Sequence, residues 1–372
     1  MTRSSPRRGS VLVIVLVTLL FTSFALVLFI EQANTDLLVE SRDATAARLR
    51  RDAYSTLEAT LATLEDFRRA GGGLHSPAEG WGDPLGFSGW RPREGCTAEV
   101  TLEDESGKLS LPHADAATLV TLFKAWDLKP SDADRLADAL LGWMRRDYVP
   151  TTALVPDYDA GDVPFAAPAR PLRSFGELAA VDYARDVFYD EHGRPNDLWR
   201  RFTATFSLYD YAQLNLNAAP GDVLTAIGFP DAAQQQRLHD YLAGTGGYTS
   251  QGPSWLTSAS QAAAPLGTSA LPAGTGALVR ALRVNVTIHE GSTVFRLSAV
   301  VAPAGGATIV KATATSSQVA ASDSAATAAQ AAQAAATAAP ATPAPQLNYP
   351  FTLLEIRENG EIPAVPPAAP SA

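Results

Sequence analysis

Arg7-Arg8-Gly9-Ser10-Val11-Leu12-Val13-Ile14-Val15-Leu16-Val17-Thr18-Leu19-Leu20-Phe21-Thr22-Ser23-Phe24-Ala25-Leu26-Val27-Leu28-Phe29-Ile30 is the stretch from which the rest of this chain is read. From Ser10 to Ile30 it holds no charge, no glycine and no proline. A helix of that length spans a hydrocarbon core of about 30 Å. Arg3, Arg7 and Arg8 precede it, and Glu31 and Asp36 follow. The excess of basic residues on the N-terminal flank keeps Met1 in the cytoplasm and sends the remainder across.

The helical pattern continues past the apolar run. Leu37, Leu38, Leu49, Tyr54, Leu57, Leu61, Leu64 and Phe67 recur among charged residues, several at helical spacing, until Gly71-Gly72-Gly73 offers a stop. One helix from Ser10 to Ala70 is expected, about 90 Å long at ~1.5 Å per residue. Its residues 10–30 are a membrane span and residues 31–70 an amphipathic continuation. Three readings of residues 1–30 compete: a cleaved export signal, a plain single-span anchor, and a short basic leader (1–9) cut on the cytoplasmic side after Gly9. The leader that ends in glycine against the apolar run, and the unbroken continuation, favour the third.

Composition narrows the function. The chain has 372 residues, 29 basic and 39 acidic, for a net charge of −10. Phosphate recognition needs clustered Lys and Arg, so no nucleic-acid partner is expected. Cys96 is the single cysteine, which excludes an intrachain disulfide. No HExxH, phosphate-binding glycine loop, paired-acid cleft or Ser-His-Asp spacing stands out, so no catalytic residue is assigned and an enzyme is not expected.

Along the chain, residues 71–108 read as a loop and a first strand (97–103), with Trp81, Phe87 and Trp90 as packing anchors. Asp104-Glu105-Ser106-Gly107 turns, and Lys108–Leu111 returns. Residues 109–243 form a helical block: Asp115 caps one helix, Pro130–Met144 makes another, and Ser174 caps a third. Asp231 caps a later one, and residues 183–213 remain unassigned. Two parts of the block match in spacing, Leu109-Ser-Leu111 through Leu140 and Leu214-Asn-Leu216 through Leu242, which reads as a duplicated unit. Residues 244–278 read as a connector. Residues 279–302 hold the clearest hairpin, Leu282–Ile288 and Thr293–Val301 around Glu290-Gly291. Residues 303–346, rich in Ala, Thr and Pro, read as a flexible linker, and 347–372 as a final strand and proline-rich tail.

In this order the chain resembles the type II secretion system protein K family, the large minor pseudopilins. The resemblance rests on Arg8-Gly9-Ser10 with the apolar helix, on Val100-Thr-Leu-Glu-Asp-Glu-Ser-Gly107-Lys-Leu-Ser-Leu111, on Leu140-Leu-Gly-Trp143 with Arg170-Pro-Leu-Arg-Ser174-Phe-Gly-Glu177-Leu178, and on Leu214-Asn-Leu-Asn-Ala-Ala-Pro220. It implies an α+β fold: a pilin-like long N-terminal helix packed on a small antiparallel sheet, with a large inserted α-helical domain of two SAM-like, helix-turn-helix-like units. It implies that a prepilin peptidase cuts between Gly9 and Ser10. The fifth mature residue is then Ile14, where most pseudopilins carry Glu, and protein K members resemble this chain in lacking it. A subunit with no neighbour beyond it can do without that carboxylate.

The implied role is a tip subunit that helps start pseudopilus assembly. Its partners would be other minor pseudopilins and the major pseudopilin, and its location the bacterial inner membrane with the bulk of the chain periplasmic. Some members bind calcium, and Asp157, Asp159 and Asp162 are oxygen donors at close spacing; a solvated acidic loop is the competing reading. The alternative functions are a minor pilin of a type IV or DNA-uptake filament, and an uncleaved membrane-anchored periplasmic scaffold.

Overall fold

The computed structural model describes residues 8–152, 158, 165–309 and 350–359. Helix α1 runs unbroken from Arg8 to Gly71. Its apolar first half has nothing to break it. Its last turn carries Arg68 and Arg69, which complement the negative helix end and both grip Glu65 at 2.6 Å. Gly72, at φ 71°, then turns the chain where a side chain would be strained. A short helix α2 (Pro84–Ser88) follows, capped by Asp83.

Strand β1 (Cys96–Asp104) does not return on itself. Asp104 accepts a hydrogen bond from the Ser106 amide, a tight turn forms, and the chain leaves the sheet. The next segment, β2 (Leu109–Ser110), was expected beside β1. It pairs instead, in parallel, with β3 (Phe206–Ser207). Between them lie α3 (Ala116–Ala125), α4 (Pro130–Met144), α5 (Ala184–Phe188) and α6 (Asp197–Thr205). Strand β4 (Leu214–Asn215), α7 (Gly221–Ala226), α8 (Ala232–Ala243), α9 (Ala263–Leu266) and β5 (Thr275–Gly276) complete the insert, with β4 and β5 parallel. The chain then re-enters the sheet as β6 (Leu282–Glu290), β7 (Thr293–Pro303) and β8 (Phe351–Glu358).

The main sheet is antiparallel throughout, in the order β1-β6-β7-β8. Every helix from α3 to α9 is therefore inserted between two adjacent strands, with Val100 opposite Val286. One face of the sheet buries Val284, Val286 and Ile288 of β6 and Leu297, Ala299 and Val301 of β7 under Leu49, Ala53, Leu57 and Leu64 of α1. Trp81 and Phe351 close the ends of this core. Thr56, Thr60 and Thr63 lie in the same buried face. Thr60 returns its hydroxyl proton to the Thr56 carbonyl, so no buried donor is lost.

The insert has two cores of its own. The first packs Phe123, Trp126, Phe188, Phe202 and Phe206; residues 183–213, which sequence pattern left unassigned, supply most of that aromatic cluster. The second packs Leu216, Val223, Leu224, Leu238, Leu256 and Leu266. Leu256 and Leu266 come from the segment read as a connector, which is part of the fold. Residues 303–309, read as the start of a flexible linker, are also held: Thr308 and Asp210 exchange backbone hydrogen bonds of 2.9 Å. Of the three aromatic anchors, Trp81 is fully buried, whereas Phe87 is 60% exposed with its ring 4.8 Å from that of Phe67.

Candidate functional site

The first half of α1 stands clear of the body. Leu12 to Leu38 includes seventeen large apolar side chains that are 45% exposed or more, among them Ile14 at 61%. Residues 10–30 make ~31 Å of helix, the thickness of a hydrocarbon core. Two threonines in this stretch are satisfied locally: the Thr18 hydroxyl lies 3.0 Å from the Ile14 carbonyl and the Thr22 hydroxyl 3.0 Å from that of Leu19. That is what a helix in lipid requires. This one long apolar helix is a candidate membrane anchor. Between it and the body, residues 31–48 form a stalk whose Leu37, Leu38 and Val39 remain exposed. Leu37 and Leu38 stay clear of the sheet, because α1 joins its core from Leu49.

Gly9 and Ser10 lie at the start of α1, and Ile14 is one turn further on. Asp157, Asp159 and Asp162 fall outside the described residues. On α4, Asp138 is buried and fully engaged. It accepts from the Tyr148 hydroxyl at 2.6 Å, the Thr152 amide at 2.6 Å and the Thr152 hydroxyl at 2.7 Å. Burial alone would raise its pKa, but these donors outweigh it and hold the carboxyl below its usual range.

Where α1 meets the sheet it is gripped on both sides. On the β8 side, Glu358 accepts from Arg50 Nε at 2.9 Å and from the Tyr54 hydroxyl at 2.7 Å. On the β1 side, Arg93 lies 3.5 Å from Asp52 and 3.1 Å from Glu290. The opposite face of the sheet is joined to the insert by a buried polar seam. Arg283 of β6 donates to Glu105 at 2.7 Å, and Lys108 Nζ lies 3.4 Å from the same carboxylate. Burial would raise the Glu105 pKa, but Lys108 and Arg283 hold it low. Tyr209 of the insert donates to Glu355 of β8. Asn215 donates to Asp104 Oδ2 at 2.6 Å and to the His75 carbonyl at 2.9 Å. Asn217 donates to the carbonyls of Leu256 and Ala277, both at 3.0 Å.

The Asn-x-Asn segment singled out by sequence is thus the joint between insert, sheet and the end of α1. The partners Arg50, Tyr54 and Glu358, and Glu105 with Arg283, carried no sequence signal, because each meets a residue distant in the chain. Chemically, the arrangement offers a rigid mount for a projecting apolar helix. Among the described residues there is no group of three or more His, Cys, Asp or Glu placed to hold a metal.

No protein-family model matches this sequence, and no curated protein matches it. A solved structure does. A chain in the crystal structure of the GspK-GspI-GspJ complex from the enterotoxigenic Escherichia coli Type 2 Secretion System has a TM-score of 0.50 to this one at 14% identity. The match covers 73% of this chain and 98% of that chain. The likeness is one of fold: a pilin-like α+β architecture of long N-terminal helix, small antiparallel sheet and further helices.

Proposed function

We propose that this chain is a minor pseudopilin of a type II secretion machine, acting at the pseudopilus tip and in starting its assembly. The observation that carries the reading is the projecting helix: residues 12–30 are apolar and exposed while the second half of the same helix is locked into the sheet. A helix built in this way serves first as an anchor and then as the packing element of a filament. The fold shared with a chain of the GspK-GspI-GspJ complex supports pseudopilin partners.

In this reading a prepilin peptidase cuts after Gly9 on the cytoplasmic side of the inner membrane. Ser10 becomes the first residue, and the body is periplasmic. Ile14 then leaves the fifth mature position without a carboxylate. Such a subunit offers no acidic partner to a neighbour's N-terminal amine, as suits the end of a filament. The chain works by assembly with other minor pseudopilins and the major pseudopilin, not by catalysis.

Mass spectrometry of the N-terminus, on protein expressed in its own cell or beside a prepilin peptidase, tests this. A chain beginning at Ser10 is expected. A chain beginning at Met1 would mean a plain anchored scaffold, and one beginning near Leu26 a conventional export signal; either removes the filament reading. Gly9→Leu should abolish the processing.

A further inference from the structure

We draw no further inference here: the strongest candidate, the groove of about 500 Å³ between residues 217–221 and helix α8, lined by Gln235, Gln236 and His239, carries nothing because Asn217 and Gln235 direct their side-chain amide protons to acceptors within the fold and nothing in the structure shows what covers it.

Discussion

Arg50 and Glu358 are 308 positions apart in sequence, and Arg50 Nε lies 2.9 Å from one carboxylate oxygen of Glu358 and 3.0 Å from the other. The contact ties the last strand of the sheet to the helix that carries the membrane span. The Tyr54 hydroxyl shares the same carboxylate, and its hydrogen bond is the largest of the effects that lower the Glu358 pKa, with Arg50 adding to it.

Glu358→Gln should loosen β8 without unfolding the body. Arg50 is at the surface, where an ion pair contributes little to global stability. The expected result in hydrogen exchange is several-fold faster exchange of the β8 amides, with β6 and β7 unchanged. Equal acceleration in all three strands would show that the contact holds the sheet rather than its edge.

Asp104 gives a pH dependence of defined sign. Burial raises its pKa from 3.8 to about 6, against hydrogen bonds from Ser106 and Asn215 that favour the charge; neighbouring Glu105 adds to the rise. The folded chain therefore holds this proton more tightly than the unfolded chain does. The group favours folding fully below pH 3.8, and its contribution is lost as pH rises through about 6. Glu105 and Asp138 are shifted the other way, so the difference between wild type and Asp104→Asn isolates the effect. Urea titrations should show that difference falling between pH 4 and pH 6 and level above. A flat difference curve would place Asp104 in contact with water.

The α1–sheet core predicts a large cost at Leu64, which is fully buried in the cluster with Trp81 and Val284. Leu64→Ala removes apolar contacts and leaves a cavity, for a loss of about 2–5 kcal/mol. Leu38→Ala, on the exposed stalk of the same helix, should change stability by less than about 0.5 kcal/mol. Chemical denaturation of the pair measures the contrast.

Gly107 marks a close approach. A Cβ built there would lie 2.6 Å from the Ala218 carbonyl oxygen and 2.7 Å from its Cβ. Gly107→Ala must therefore push the turn after β1 away from the Asn-x-Asn segment, at a cost of about 1–3 kcal/mol. The same variant should speed exchange at Asn217 and Ala218, since their segment is the one displaced.

Much of this was legible before the fold was known. Asp115 and Asp231 cap the helices expected of them, donated to by Thr118 and Ala233. The alternation from Leu282 to Ile288 is the buried-and-half-buried pattern of β6. Residues 183–213 were not legible, because Phe188 stands far from Phe202 and Phe206 in the chain and the one helical step, Phe202 to Phe206, straddles the end of α6 at Thr205. They are defined by meeting Phe123 of α3 and Trp126 just beyond its end. The return of Lys108–Leu111 was misread for a related reason. A turn followed by alternating residues looks like a hairpin, and only the pairing of Leu109 with Phe206 reveals otherwise.

By itself, the sequence determined what depends on neighbours a few residues apart: the unbroken helix from Arg8 to Gly71, its apolar first half, the helix caps and the β6–β7 hairpin. Those follow from periodicity, capping and the absence of helix breakers, which act over one or two turns of chain. Tertiary structure alone decided that β1 pairs with β6, that the insert is held by Glu105, Arg283 and Asn215, and that Glu358 of β8 meets Arg50 and Tyr54 of α1. These depend on which distant surfaces exclude water together and which buried charges find partners, and no local pattern in the chain encodes that choice.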